Sequence, residues 1–124
     1  MKKIYSIIFA AFTVVTVATN VNAGEADVVD VKISQSSGDS YNFNVTVKHG
    51  DAGWDHYADR WEVLDENGSV LGTRVLFHPH VNEQPFTRSL SGVKIPTSVG
   101  SVTIRAHDKV HEFGGKEMTV KVPR

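Results

Sequence analysis

Alternation of apolar and polar side chains over short stretches is the feature that most constrains this chain. The clearest stretch runs from Tyr41 to Val47, where two aromatic residues and two valines alternate with Asn, Asn and Thr. Successive side chains of an extended strand point to opposite faces, so this alternation predicts a strand with one buried face. Similar stretches recur to the end of the chain, separated by residues that favour turns. The sequence therefore predicts an all-β domain.

Seven such segments can be placed along the chain, with an Asn-Gly turn after the third. Seven short strands in roughly a hundred residues are typical of an antiparallel β-sandwich of immunoglobulin or fibronectin type III character. Trp61 is expected to lie in the core between the sheets. An open-ended β-barrel is the alternative fold. The predicted strands are residues 29–33, Tyr41–Val47, Asp59–Leu64, Val70–Phe77, Pro85–Leu90, Val102–Ala106 and Met118–Val122.

The first 23 residues have the pattern of a secretory signal peptide. Lys2 and Lys3 precede an uncharged stretch, and Val21-Asn22-Ala23 places small residues where a signal peptidase cleaves. Cleavage after Ala23 would leave one β-sandwich domain of residues 24–124, with no membrane span. The alternative is an uncleaved anchor, for which the apolar run is short, since a span needs about 20 residues. We therefore expect a periplasmic or secreted protein, in a bacterium.

Composition excludes several classes of site. The chain has no cysteine, which excludes thiolate metal sites, iron–sulfur clusters and cysteine nucleophiles. Met118 is the only methionine after the predicted cleavage site, so a thioether Cu(I) site is not expected. The 13 basic side chains are scattered among 14 acidic ones, which does not resemble a nucleic-acid surface.

The histidines indicate a functional end of the domain. They fall at the second, fourth and sixth connections between predicted strands, and these connections lie at the same end of an antiparallel sandwich. Histidine is the commonest metal ligand, so their convergence predicts a transition-metal site. The residues are His49, His56, His78, His80, His107 and His111.

The expected core of the metal site is the His78-Pro79-His80 segment. Pro79 favours an extended conformation for His78, and residues two apart in an extended chain point the same way. Nitrogen and oxygen ligands without sulfur suit Zn²⁺ or Cu²⁺, with Ni²⁺ also compatible. The residues predicted to complete the site, in order of preference, are His56, His111, His49 and His107, with Asp55 and Glu83 as carboxylates. Other acids of the same loops could bind the ion or orient the imidazoles, namely Asp51, Asp59, Asp108 and Glu112.

Each histidine also has a structural interpretation. His49 continues the alternation of Val45 and Val47, which is typical of a core-edge histidine bonded to a backbone carbonyl. His107 has the parity of outward-facing Thr103 and Arg105, so it can be a solvated surface residue. The other four can be polar residues of ordinary loops.

Two other functions compete with metal binding. Trp54 and Tyr57, beside the histidines, could form a surface that recognises a protein or glycan, although the favoured interpretation is that Trp54 caps the open end of the sandwich. Ser89 and Ser91 belong to no recognisable nucleophile motif. A metal with an open coordination position could activate water, but binding without catalysis needs fewer assumptions.

Two stretches, GWDHYADRWEV (Gly53–Val63) and RVLFHPHVNEQPFTRSL (Arg74–Leu90), resemble small exported bacterial proteins of an uncharacterised family. The resemblance covers most of residues 24–124 and implies an immunoglobulin-like fold but no activity. At the level of fold alone the chain is similar to domains of sulfur-oxidation carriers and copper-handling periplasmic proteins, and it lacks the methionine motifs of the latter. We expect an exported, non-enzymatic protein that binds a divalent transition metal ion, with another periplasmic protein as a further candidate partner.

Overall fold

Two antiparallel sheets face each other in a computed structural model, which describes residues 24–124. The predicted signal peptide, residues 1–23, lies outside the described residues. Sheet A has the order β1-β2-β5, and sheet B has the order β4-β3-β6-β7. The strands are β1 (Asp27–Ser37), β2 (Ser40–Lys48), β3 (Ala58–Leu64), β4 (Val70–Val75), β5 (Phe86–Lys94), β6 (Ser101–Asp108) and β7 (Met118–Lys121).

This arrangement fits the predicted antiparallel β-sandwich. All neighbouring strands pair antiparallel, and β4 pairs with β3 across the Asn-Gly turn. Gly68 alone in that turn has a positive φ, 82°, because glycine has no Cβ to oppose it. The immunoglobulin or fibronectin type III class stays a prediction. Within residues 24–124, no helix is long and apolar enough to cross a membrane.

The core lies between the sheets and follows the alternation of the sequence. Four side chains of β2, from Tyr41 to Val47, are fully buried at every second position. Val102, Ile104 and Ala106 of β6 face them from sheet B. Trp61 of β3 is fully buried, as predicted. Burying such side chains contributes about 1.5–3 kcal/mol each, which is the main stabilisation available to a domain without disulfides.

Every strand differs from its predicted bounds by at least one residue, and β1, β4 and β5 illustrate the differences. In β1 the register shifts between Val28 and Asp30, so Val28 is buried and Val29, expected to alternate inward with Val31 and Ile33, is 40% exposed. A β-bulge explains this change, because its extra residue reverses which positions face the core. β4 ends at Val75, two residues earlier than predicted. β5 continues to Lys94, beyond the predicted end at Leu90, through Gly92 with a φ of 71°.

Three loops meet at one end of the sandwich, as the antiparallel order predicts. Gln84 of the β4–β5 loop accepts a hydrogen bond from the His49 N–H at 2.9 Å and donates one to the His80 carbonyl at 2.9 Å. The Lys109 N–H of the β6–β7 loop donates to the Tyr57 carbonyl of the β2–β3 loop at 3.2 Å. This end carries the candidate site.

Candidate metal centre

His49 enters the site from the end of β2. It continues the inward-facing positions of Val45 and Val47, so its ring lies at the edge of the core with only 3% of the residue exposed. Its Nδ1 is 2.5 Å from Asp51 Oδ1, and its Nε2 is 2.9 Å from the Gly24 carbonyl oxygen. The expected bond to a backbone carbonyl is therefore present, together with a buried carboxylate partner.

Asp108 enters from the opposite sheet at the end of β6. It continues the inward-facing positions of Ile104 and Ala106 and is fully buried. Its Oδ1 accepts hydrogen bonds from the N–H groups of Val110 at 2.8 Å and His111 at 2.7 Å. Its Oδ2 has no hydrogen-bond partner among the described residues and lies 3.9 Å from His49 Nε2. A buried, unpaired carboxylate oxygen costs about 1–3 kcal/mol or more, which a cation would offset.

His56, in the β2–β3 loop, lies between these two residues. Its Nε2 is 3.2 Å from His49 Nε2 and 3.2 Å from Asp108 Oδ1. The His49 and His56 rings meet edge to face, with centroids 4.7 Å apart. The imidazole is partly exposed, with 16% of the side chain accessible, so it forms the solvent side of the group. His49, His56 and Asp108 thus offer three ligand atoms within 4.8 Å of one another and could hold a metal ion.

The spacing of these atoms fits a small divalent ion. Donors bound at about 2.0–2.2 Å to a tetrahedral Zn²⁺ lie about 3.3–3.6 Å from one another. The two separations of 3.2 Å are just below that range, and His49 Nε2 lies 3.9 Å from Asp108 Oδ2, just above it. Two imidazole nitrogens and a carboxylate oxygen are also a donor set that Zn²⁺ and Cu²⁺ accept.

Asp51 supports the site from behind His49. Besides the His49 ring, its carboxylate accepts the Ala58 N–H at 3.0 Å and the His80 N–H at 2.6 Å. A carboxylate bonded to one ring nitrogen of a histidine orients the other nitrogen toward a metal and makes it a stronger donor. The hydrogen bond from the His80 N–H also ties the β4–β5 loop to the β2–β3 loop.

The ionisation of these groups is coupled. Burial lowers the pKa of His49, but the hydrogen bond and charge of Asp51, the charge of Asp108 and the Gly24 carbonyl together raise it above its ordinary value. Burial raises the pKa of Asp108, but the His111 and Val110 N–H groups and the nearby histidines lower it overall. Burial also raises the pKa of Asp51. The hydrogen bonds that Asp51 accepts from His49, His80 and Ala58 outweigh this effect, so its pKa is lowered overall. Both carboxylates are therefore anionic at neutral pH.

His111 lies beside the group, in the β6–β7 loop. Its Nδ1 is 3.4 Å from Asp108 Oδ1, and its ring centroid is 5.0 Å from that of His56. The side chain is 37% exposed. His111 is the candidate for an additional ligand on the solvent side.

His78 and His80, expected to form the core of the site, lie together but outside this group. Their ring centroids are 4.6 Å apart. His80 is buried and stacks on Phe86 at 4.1 Å, and burial and the charge of Arg88 lower its pKa. Only the backbone of His80 reaches the group, through Asp51. Within residues 24–124, the side chains that lie close enough together to share a metal ion are those of His49, His56 and Asp108.

The remaining predicted ligands occupy other environments. His107 faces outward on β6, where its Nδ1 is 2.5 Å from Asp59 Oδ1 and its ring contacts Phe113. Asp55 is exposed. Glu83 is exposed and forms an ion pair with Arg88 at 3.3 Å. The structure therefore brings His49, His56 and His111 together and does not bring His107, Asp55 or Glu83 to them.

The sequence places Asp108 and Asp51 among the loop acids, where neither has a leading role in the predicted site. The alternation along β6 could have identified Asp108, because Asp108 occupies the next inward-facing position after Val102, Ile104 and Ala106. A polar residue at the inward end of a strand must find a polar partner or an ion. No comparable signal marks Asp51, whose role depends on the folding of its loop.

The two aromatic residues of the β2–β3 loop, Trp54 and Tyr57, differ in solvent exposure. Tyr57 is buried, with 7% exposure, whereas Trp54 is 65% exposed and contacts the Tyr57 ring edge to face at 5.7 Å. Trp54 therefore does not cap the core. Other exposed apolar side chains of the same loops are Phe77, Val81 and Val110.

Comparison with known proteins adds one clear relative. No family model matches the chain. A protein of Halomicrobium mukohataei named "Putative lipoprotein" is 40% identical over 105 residues, which is 85% of this chain and 51% of that protein. A solved structure, a hypothetical protein of Pyrococcus horikoshii, aligns with a TM-score of 0.48 and 18% identity, over 82% of this chain and 94% of that chain. The chain thus spans about half the length of the Halomicrobium relative, and the match fits an uncharacterised family.

Proposed function

We propose that this is an exported protein that binds a divalent transition metal ion, Zn²⁺ or Cu²⁺, through His49, His56 and Asp108. The observation that carries the proposal is the buried Asp108 Oδ2, which has no hydrogen-bond donor among the described residues and lies 3.9 Å from His49 Nε2. The other oxygen of the same carboxylate is 3.2 Å from His56 Nε2, and the two imidazole nitrogens are 3.2 Å apart. A bound cation would supply the missing partner. The supporting carboxylate of Asp51 is the arrangement that metal-bound histidines commonly have.

Export is the second part of the proposal. The predicted signal peptide of residues 1–23 supports it, and so does the name of the Halomicrobium relative, since a lipoprotein is an exported, membrane-anchored class. A periplasmic or secreted protein meets metal ions outside the cytoplasm. Holding the ion, without catalysis, is the role that requires the fewest additional groups.

Calorimetric titration of metal-free protein with Zn²⁺ and with Cu²⁺ tests metal binding. We expect one ion per chain, with affinity reduced at least about a hundredfold in His56→Ala, since loss of an outer-shell partner alone costs about 10–100-fold. His56 is the variant of choice because its ring is the least buried of the three ligands. The matched control is His78→Ala, an exposed histidine outside the group, which should bind as the wild type does. Unchanged affinity in His56→Ala would contradict the proposal.

A second candidate function is recognition of a protein or glycan by the same end of the sandwich. Four exposed apolar side chains from three loops favour it, namely Trp54, Phe77, Val81 and Val110. Such aromatic and aliphatic side chains are the usual anchors of a recognition surface. Absence of heat with either metal ion, in a protein whose unfolding is cooperative, would favour this function over metal binding.

A further inference from the structure

The segment that precedes β1 lies against the metal group. The Gly24 carbonyl oxygen is 2.9 Å from His49 Nε2, the nitrogen that also faces His56 and Asp108. Two residues later Ala26 is buried, with 1% exposure. Gly24 is thus held at the site by a chain that enters the core immediately after it.

The β6–β7 loop fixes this segment in place. The Val28 N–H donates to the Lys116 carbonyl at 2.8 Å, and the Lys116 N–H donates to Asp27 Oδ1 at 2.7 Å. Gly115 packs so closely that a Cβ there would collide with the backbone of Ala26. This close approach requires glycine, and it holds Ala26, two residues after Gly24, against the β6–β7 loop.

We propose that the α-amino group of Gly24, released by cleavage after Ala23, is a further ligand of the same ion and binds together with the Gly24 carbonyl oxygen. Hydrolysis of the Ala23–Gly24 amide by water leaves a carboxylate on Ala23 and an amine on Gly24. At neutral pH this amine is mostly protonated, and the ammonium group releases one proton to water when its nitrogen binds the ion. The nitrogen and the carbonyl oxygen of one residue close a five-membered ring with a metal, which is a favourable chelate. This inference rests on the proposed function and on the predicted cleavage site.

The chelate would make metal binding depend on processing. In the uncleaved chain the Gly24 nitrogen is an amide nitrogen, whose delocalised lone pair makes it a poorer metal donor than an amine. After cleavage it belongs to an α-amino group with a pKa of about 7.7–8.0, whose proton a metal ion readily displaces. With His49, His56 and Asp108 the donor set becomes rich in nitrogen, which favours Cu²⁺ over Zn²⁺. The protein would therefore acquire its full affinity only after export.

Blocking the α-amino group tests the inference. The full chain is exported, the processed protein is purified, and its amino terminus is identified by mass spectrometry. One portion is acetylated near neutral pH, where the α-amine reacts ahead of lysines because its pKa of about 7.7–8.0 is well below their value of about 10.4. Cu²⁺ affinity is then measured by competition with a chelator. We expect acetylation to weaken Cu²⁺ binding by more than about tenfold, the lower bound for loss of an outer-shell partner.

Two further measurements separate ligation from packing. Electron paramagnetic resonance of the Cu²⁺ protein should change its nitrogen hyperfine pattern when glycine is labelled with ¹⁵N, which a merely structural role of Gly24 would not produce. Bound Cu²⁺ should also protect the amine from acetylation, and His56→Ala should lose that protection.

The outcomes distinguish this inference from the proposed function. Equal Cu²⁺ affinity with and without the acetyl group, or an amino terminus other than Gly24, overturns the inference and leaves the three-ligand site intact. Absence of binding in both forms overturns the proposed function itself.

Discussion

At the scale of residues, the site is defined by which polar atoms have partners. Asp51 satisfies its carboxylate with one ring nitrogen and two backbone N–H groups, whereas Asp108 leaves one buried oxygen without a hydrogen bond among the described residues. Most buried polar side-chain atoms in proteins are paired, so an exception calls for a specific cause. His49 connects the two carboxylates, because one of its nitrogens faces each of them.

Replacing Asp51 with Asn tests its role in orienting His49. Asn keeps the shape of the side chain but removes the charge that strengthens and orients the imidazole. We expect the affinity for Zn²⁺ to fall by about 10–100-fold. The metal-free protein should also lose about 1–3 kcal/mol of unfolding free energy, since hydrogen bonds to a charged group are weakened. Calorimetry and urea denaturation measure the two effects.

The matched control is Asp55→Asn, an exposed carboxylate of the same loop. It should change neither quantity appreciably. Zn²⁺ affinity that responds equally to the two substitutions would show that Asp51 acts only through overall charge.

Stability of the metal-free protein should depend on the charge of His49. Because the folded state raises the pKa of His49, its contribution is fully present below the ordinary value of about 6.5 and is lost as pH rises through the raised value. The lowered pKa values of Asp51 and Asp108 act at acid pH, where their contributions are lost as pH falls. Urea denaturation at about pH 6 and about pH 9, on either side of the ordinary value of about 6.5, measures the effect.

The control for this prediction is His49→Gln, which has no titrating ring. The difference in unfolding free energy between wild type and variant should shrink from about pH 6 to about pH 9, a range that brackets the ordinary pKa. A difference that stays constant would mean that His49 does not gain a proton on folding.

At the scale of elements, the site is an extension of two strands beyond their apolar part. β2 and β6 belong to different sheets, and each carries its inward-facing pattern one position further, to His49 and to Asp108. The loops then add what the strands lack, namely His56 and the Asp51 support. The β6–β7 loop also positions the chain before β1, through contacts that need Gly115.

Gly115→Ala tests this close contact between elements. The added methyl group would meet the backbone of Ala26, which cannot yield as a flexible side chain can. Overpacking of this kind costs about 1–3 kcal/mol. The control is Gly100→Ala, where the nearest atom to the new methyl is Glu66 Oε1 at 3.7 Å, an ordinary contact. Urea denaturation should show a loss of stability for Gly115→Ala and little change for Gly100→Ala.

Equal unfolding free energies of the two glycine variants would mean that Gly115 does not pack closely against the backbone of Ala26. In that case the contact between Gly24 and His49 would also be doubtful. Metal affinity measured on Gly115→Ala then shows whether the placement of Gly24 matters for binding.

At the scale of the whole molecule, a bound ion would join the two sheets of the sandwich. His49 belongs to the end of a sheet A strand and Asp108 to a sheet B strand, so separating the sheets requires release of the ion. A ligand that binds only the folded state stabilises it in proportion to the logarithm of its concentration. This coupling matters for a chain without disulfides.

Zn²⁺ should therefore stabilise the complete domain. At a free concentration of about 100 times the dissociation constant, we expect the unfolding free energy to rise by about 2.7 kcal/mol. Fluorescence of the fully buried Trp61 reports unfolding of the core. His56→Ala at the same Zn²⁺ concentration serves as the control and should show little stabilisation. A similar gain in both proteins would point to non-specific binding elsewhere.

Much of the fold could be predicted from local pattern, and less of the site. Period-two alternation located β2 and placed Trp61 in the core, because alternation and burial follow from the same strand geometry. The bulge in β1 and the continuation of β5 through Gly92 were missed, since they depend on pairing with β2. For the site, loop order predicted that the histidine-bearing loops meet at one end of the sandwich, but not which side chains meet there.

The sequence by itself determined that residues 24–124 form an all-β domain, that the histidines gather at one end of it, and that no cysteine takes part in a site. These properties depend on strand periodicity, on the order of antiparallel connections and on composition, all of which can be read along the chain. Only the tertiary structure decided that His49 and His56 lie with Asp108, while His78 and His80 pair beside Phe86. The physical reason is that a metal site needs donor atoms about 3 Å apart, a distance that loop packing determines and sequence spacing does not.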